Sequence, residues 1–346
     1  MDLSGVTRDV VVPVRVDPAG RTGPTPDQAR GPHWRRTSRG FYVPADVDPT
    51  TVEQRIVEAA VALPDTWGGV TGWAALAWAG AVWFDGSPWG GGTVRPVTLA
   101  VGGNRTIRSQ SGFATSEERL LPGDLVVVDG LRVTRPVRSV CFEMRYARSV
   151  VAAVTTLDMA CFNDVVSLDE VAEYAAALSG WTGIPRYREA AALSDENAWS
   201  PREVEMRDVW SLAAPRVRPL CNRPVFDTAG GFLATPDLID PVAGVVGEYD
   251  SALHLPGPQW SRDLDRTDLF RSHGLEPVSM VSSDLLDPTH FVRRLQSAYE
   301  RAAEIPASRR RWTLEMPPWW RDTTTVEARR SLDEAARARL LAHRAA

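Results

Sequence analysis

Between Thr50 and Gly80, apolar residues recur at intervals of three and four, first in VEQRIVEAAVAL and then in VTGWAALAWAG. That spacing predicts two helices. Beyond them, VRPVTLAVG, TIRSQS and DLVVVDGLRVTRP are β-branched runs broken by Gly, Pro and Asp, which predicts a small antiparallel sheet. The helical period returns in SVCFEMRYARSVVAAVTTLDMAC, and Ser167 with Glu170 in SLDEVAEYAAAL sets a capping box ahead of a further helix. A looser stretch, GWTGIPRYREAAALSDENAWSP, then leads to a different pattern.

SPREVEMRDVWSLA places Ser200 at a helix cap, Pro201 at the first helical position and Glu203 in the first turn. PVFDTAGGFLATPDLID, a Pro-Val-Ala-Gly turn and VVGEYD then predict a hairpin, with Asp240 as a turn residue beside Pro241. WSRDLDRTDLFRSHGL follows as an amphipathic helix, and EPVSMVSSDLL as a last strand. Helix, hairpin, helix and strand make an α/β unit over residues 196–305. Residues 47–195 form a mixed α/β region before it. Residues 306–346 are a basic helical tail, with ten arginines against six acids between Arg301 and Ala346, and are expected to lie outside the folded core. The first 46 residues are rich in Pro, Gly and Arg, and Gly31-Pro32 stops the helix that Thr25-Pro26 would start. The expected class is α+β or α/β throughout.

All 39 basic residues are arginine, so no lysine serves as catalytic base, Schiff-base former or phosphate clamp. The formal net charge is -5. Cys141, Cys161 and Cys221 are far apart and show no CxxC spacing, which supports neither a disulfide framework nor a cysteine zinc site. The N-terminus has acids and arginines where a secretory signal needs an apolar stretch. No run approaches the roughly 18 apolar residues of a membrane span. A soluble, cytoplasmic protein without a membrane partner is expected. Trp67, Trp73, Trp78, Trp83 and Trp89 have no basic residues interleaved, which favours core over a platform for bases.

The chemistry concentrates at the hairpin. Side chains alternate along a strand, so Glu248 and Asp250 point to one face while Tyr249 points away, and Asp237 on the neighbouring arm comes opposite them. Carboxylates gathered in this way fit Mg²⁺ or Mn²⁺, with Glu203 completing or orienting the set. Such a metal polarises a phosphodiester and lowers the pKa of an attacking water. The plainer alternative is a solvated turn whose acids meet Arg262 and Arg266. Upstream, Arg30, Arg35, Arg36 and Arg39 lie within ten residues with no acid among them, and either contact phosphates or form a solvated wing.

Glu203 on a helix, Pro236-Asp237 and Glu248 on a strand resemble the PD-(D/E)XK nuclease superfamily. The run SPREVEMR, PDL, GEYDSALH and SRDLDRTDLF is similar to its very-short-patch-repair-like branch. The resemblance implies a metal-dependent DNA endonuclease with Asp237 and Glu248 as ligands and Glu203 as helper. It also implies that Arg262, Asp263 and Arg266 build the site from the following helix. Asp250 stands where the superfamily has lysine, Ser251 where the branch has glycine, and His254 is placed to act as acid, base or ligand. RRTSRGFYVP, VTGWAAL and VVVDGLRVTRPVRSVCFEM are similar to AbiEi-like proteins, antitoxin-type regulators. That second resemblance implies an abbreviated winged-helix-like segment over residues 1–46, DNA as a partner and a cognate toxin as another. Two rival readings remain: a DNA-binding regulator or antitoxin with an inactive nuclease fold, and a protein-interaction scaffold.

Overall fold

The computed structural model describes residues 1–89, 91–103, 107–250 and 258–344, with the side chains of 258–264 left out. Among the described residues, helices and four sheets give a mixed α+β fold. No helix among the described residues is long and apolar enough to cross a membrane. The chain divides into two compact units, Met1–Thr156 with Asp169–Glu189 and Leu157–Leu168 with Ala190–Ala346.

In the first unit, β1 (Val14–Arg15), β2 (Trp34–Ser38) and β3 (Phe41–Pro44) form an antiparallel sheet in the order β1-β3-β2. β2 and β3 thus make an arginine-bearing hairpin. No α-helix precedes it among the described residues, where only a short 3-10 turn, Gln28–Arg30, stands ahead of Gly31-Pro32. Next come α1 (Val52–Ala60), β4 (Gly69–Thr71), α2 (Trp73–Trp78), β5 (Val97–Ala100), β6 (Phe113–Ser116), β7 (Leu125–Val128) and β8 (Leu131–Thr134). Then follow α3 (Pro136–Tyr146), α4 (Val150–Phe162), α5 (Leu168–Ala176) and α6 (Ile184–Leu193), with the ends of α4 and α6 belonging to the second unit.

The sheet β6-β5-β4-β8-β7 is mixed, because β5 runs parallel to β6 and β4 parallel to β8. Alternating side chains mark a strand but not its direction, so the antiparallel expectation had no physical hold on this point. The outer strand is Phe113–Ser116 and not TIRSQS, whose described residues carry only a bridge from Gln110 to Phe113. Trp73 and Trp78 are buried, and their indole N–H groups donate to Pro96 O (3.1 Å) and Val128 O (2.8 Å). Both are core residues.

The second unit continues with α7 (Pro201–Ala213), β9 (Leu220–Cys221), β10 (Val225–Asp227), β11 (Phe232–Ala234), β12 (Leu238–Ile239), β13 (Val245–Asp250) and α8 (Pro258–Ser272). It ends with β14 (Glu276–Val281), α9 (Thr289–Glu304), β15 (Trp312–Thr313), α10 (Val326–Arg330) and α11 (Glu334–Leu340). Its main sheet has the order β14-β13-β12-β9, antiparallel except that β13 and β14, joined through α8, run parallel. Asp240 makes the hairpin turn by accepting from Val242 N (2.7 Å) and Ala243 N (2.9 Å), and Gly244 closes it at a positive φ of 74°.

Each face of this sheet is covered. On one, Gly247 lets the Trp210 ring of α7 approach so closely that a Cβ there would sit 2.7 Å from it. On the other, Ile239 and Val246 join Phe270, Leu275, Val225 and Ala234 in a buried cluster. The sequence reading has no helix at α9. There, Phe291, Leu295, Ala298 and Ala302 form a buried stripe at helical spacing.

The tail is not separate from this core. Thr313 and Trp312 pair with β10, and Trp312 packs against the buried cluster. Arg329 is fully buried, donating to Asp164 Oδ1 (2.6 Å), Cys161 O (2.8 Å), Thr323 O (2.9 Å) and Glu196 O (3.1 Å). A detached tail over 306–346 is thus corrected: a surplus of arginine marks a solvated surface only when the guanidinium groups find no acids or carbonyls inside. Replacing Arg329 by Met would leave Asp164 and three carbonyls short of a buried partner. A loss of about 3–5 kcal/mol in urea unfolding is expected, and an unchanged midpoint would return the tail to the surface.

Candidate functional site

The site is built from the start of α7. Ser200 is extended (φ −148°, ψ 158°), and its side chain accepts from Glu203 N at 3.2 Å. Pro201 begins the helix where a missing N–H costs nothing. This geometry turns the Glu203 side chain back, so that its Oε2 accepts from Trp199 N (2.8 Å) and from Asn222 Nδ2 (2.6 Å). Glu203 is 6% exposed. Burial, and next the neighbouring Asp237 carboxylate, push its pKa up to about 8, against the pull of the Trp199, Asn222 and Ser200 hydrogen bonds.

Asn222 joins the two acids. It lies in the left-handed region (φ 45°), which asparagine tolerates better than most residues. Its backbone N–H donates to Asp237 O at 2.9 Å, while its side chain holds Glu203. Asn197 fixes this turn by donating to Cys221 O (3.0 Å) and Asn222 O (2.9 Å), and Asn222 Nδ2 donates in return to Asn197 O (2.8 Å).

Asp237 stands immediately before β12, half-buried, with Oδ2 accepting from Tyr249 N at 2.6 Å. Burial raises its pKa, while the Tyr249 N–H and the nearby Arg266 cation pull it down. The register Leu238↔Gly247 extends by one step to set Asp237 level with Glu248. Glu248 turns to α8, where its Oε1 accepts from Arg266 Nη2 (2.9 Å) and Nε (3.1 Å). Arg266 also donates to Thr235 O at 2.8 Å and lies over the Phe270 ring. Asp250 is at the exposed end of β13, and Tyr249 turns the other way, its hydroxyl 3.2 Å from Ser282 Oγ.

The four acids picked out from the sequence are therefore divided. Glu203 and Asp237 come together, Glu248 is engaged by Arg266, and Asp250 lies at the rim. Among the described residues, no group of three or more His, Cys, Asp or Glu side chains is arranged to hold a metal ion. His254 lies outside the described residues, as do the side chains of Arg262 and Asp263. In the first unit, Arg35 grips Glu58 of α1 with both Nη atoms (2.7 and 3.0 Å), which makes it a structural clamp. Arg30, Arg36 and Arg39 are exposed, with Arg30 paired to Asp27 and Arg36 Nε donating to Ser38 O (3.2 Å).

Sequence spacing gave no signal for Asn197, Asn222 or the ion pair beneath them. Arg207 Nη2 meets Asp158 Oδ2 at 2.5 Å, and its Nη1 donates to Cys221 Sγ at 2.9 Å. Burial lifts Asp158 to about 6 despite Arg207. Burial works most strongly against the Arg207 cation, but Asp158, Cys221 and Asp195 together outweigh it and hold its pKa above the ordinary value. This pair anchors α7 from below, on the side that carries β9. The same unit contains a pocket of about 370 Å³ bordered by Trp199, Asn222, Thr235, Trp319 and Trp320.

Compared with known proteins, the chain matches no protein-family model, no curated protein and no solved structure.

The raised Glu203 pKa sets a pH dependence. The folded carboxyl keeps its proton up to about 8, whereas the unfolded one loses it from about 4.5, so stability falls as pH rises between these values. Glu203→Gln keeps an acceptor for Trp199 and Asn222 and removes the titration. Its urea midpoint is expected to gain on the wild type steadily from about pH 5 to about pH 8. A gap that stays constant with pH would show that Glu203 is not protonated in the fold.

Proposed function

We propose that the second unit is a PD-(D/E)XK-like module that hydrolyses phosphodiesters in DNA with Mg²⁺ or Mn²⁺, and that Glu203 and Asp237 are the acids that hold the ion. The observation that carries this reading is that Asn222 ties two acids into one corner, its side chain donating to Glu203 (2.6 Å) and its backbone N–H to Asp237 O (2.9 Å). Two acids kept in one corner need a proton or a cation between them. The order of helix, antiparallel strands, helix and parallel strand supports the reading, with one acid entering β12 and another on β13.

The residues fit the ion. Mg²⁺ is commonly held by one or two carboxylates and keeps several waters, so a pair suffices where a triad is missing. Bound there, it would supply a polarised phosphodiester and a more acidic water. The chain's own groups do the positioning: Asn222 and Trp199 orient Glu203, and Tyr249 N–H fixes Asp237. Arg266 brings the positive charge that lysine brings elsewhere in the superfamily, as a planar fork in place of a point charge. The exposed Arg30, Arg36 and Arg39 of the first unit support DNA contact, in keeping with a regulator-like N-terminal region.

A second reading, DNA binding without cleavage, is favoured by one observation: the engagement of Glu248 with Arg266. Thermal melting with and without Mg²⁺ separates the possibilities. At a hundredfold excess over Kd the ion is expected to add about 2.7 kcal/mol, and Asp237→Asn to abolish this gain with the fold intact. Metal-dependent nicking of single-stranded, duplex or mismatched DNA that disappears in Asp237→Asn and Glu203→Gln establishes the nuclease. A metal shift without nicking on any of them leaves the binding-only reading, and no shift in the wild type ends both metal roles.

A further inference from the structure

The pocket of about 370 Å³ beside the acid pair is lined from several separate parts of the second unit, α11 among them, and its chemistry is consistent. Trp199 comes from the α7 cap, Asn222 and Thr235 from the sheet edge, and Trp319 and Trp320 from the segment after β15. The indoles are braced before any ligand arrives. Trp199 lies against His343 with ring centres 4.0 Å apart, and Trp320 stacks on Phe232 at 5.0 Å with planes 17° apart. Phe226 and Trp319 add edge contacts to Trp320 at 5.1 and 5.6 Å.

The polar groups point to one kind of occupant. Arg321 and Arg339, both exposed, border the pocket, and no carboxylate does so among the described residues. That balance suits a flat aromatic ligand bearing phosphate. Asn222 closes the same wall, with its side-chain amide turned inward to Glu203 and Asn197. We propose that this pocket receives one unstacked nucleobase of single-stranded DNA, sandwiched by tryptophan, with the flanking phosphates on Arg321 and Arg339.

A base paired inside a duplex cannot enter such a pocket without leaving its stack. The substrate class is therefore DNA with an unpaired nucleotide. Where the base sits matters because Asn222 and Trp199 border the pocket and also hold Glu203, and Thr235 is two residues from Asp237. A bound base thus carries its neighbouring phosphodiester to the acid pair; this last step rests on the nuclease reading above, whereas base capture does not.

The test uses the full chain with EDTA present, so that neither metal nor cleavage enters. An oligonucleotide carrying 2-aminopurine is titrated and its fluorescence quenching followed. The single strand is expected to quench saturably and to bind at least about tenfold tighter than the same sequence in a perfect duplex and than the free 2-aminopurine nucleotide. Trp319→Ala, at a residue 61% exposed, is expected to weaken single-strand binding about tenfold without moving the melting temperature. Should that variant unfold, Arg339→Gln on the surface of α11 replaces it, and the slope of log affinity against log salt is expected to fall by about 0.7. Equal affinity for duplex, equal affinity for the free nucleotide, or no quenching overturns the proposal. Each of those results leaves metal-dependent nicking to be judged on its own assay, and failure of nicking leaves base capture standing.

Discussion

A carboxyl group kept in the interior and hydrogen-bonded by neutral donors is the constraint on which the second unit is arranged. Glu203 takes its hydrogen bonds from Trp199 and Asn222, and each donor is itself fixed by what surrounds it. Trp199 N is aimed because Ser200 caps α7, and Asn222 is aimed because Asn197 holds both sides of a left-handed turn. The same turn sets the backbone of Asp237, and so the entry of β12 into the sheet. Buried polar groups linked in this way depend on one another, so helix start, turn and strand edge stand or fall together. The ion pair of Arg207 with Asp158 extends the same logic downward, holding α7 on its buried side.

Features governed by neighbours in sequence were legible; those governed by distant partners were not. The α7 cap could be read from Ser200, Pro201 and Glu203 because capping is local. The shared face of Glu248 and Asp250 followed from strand alternation, and Tyr249 does turn away toward Ser282. What alternation cannot give is which acid meets which cation. Arg266 lies eighteen residues beyond Glu248 and reaches it because α8 crosses back over the sheet. Asn197 and Asn222 look like ordinary loop residues in the sequence, since their role depends on each other and on Glu203 across folded distance. The helix at α9 was missed although its stripe is regular, because charged residues crowd the positions between Phe291, Leu295, Ala298 and Ala302. Strand direction in the first unit and the inclusion of the tail fall under the same heading.

Having arginine as its only long cation shapes the chain well beyond any contact with phosphate. A guanidinium offers five donors in one plane and can tie several carbonyls at once. Arg132 does this to Gly68 O and Trp67 O, both at 2.9 Å, across the first unit. Glu118 receives Arg138 (2.8 Å), Arg145 (2.6 Å) and the Tyr146 hydroxyl (2.7 Å). Burial alone would raise the Glu118 pKa, but this ring of donors overcomes it and holds the carboxyl below its ordinary value. Many of these arginines act as cross-links, so a count of basic residues overstates the surface offered to a polyanion.

The fixing of Arg329 by Asp164, Cys161, Thr323 and Glu196 has a consequence for how the protein is born. Domains generally fold as units while the chain is still being made. Here the first unit can close early, but the second contains an arginine near its C-terminal end that completes an interior begun some 165 residues upstream. Its tryptophans from the same late segment arrive with it. Until Trp319, Trp320 and Arg329 have been made, the aromatic pocket lacks two of its walls and Asp164 lacks its buried partner.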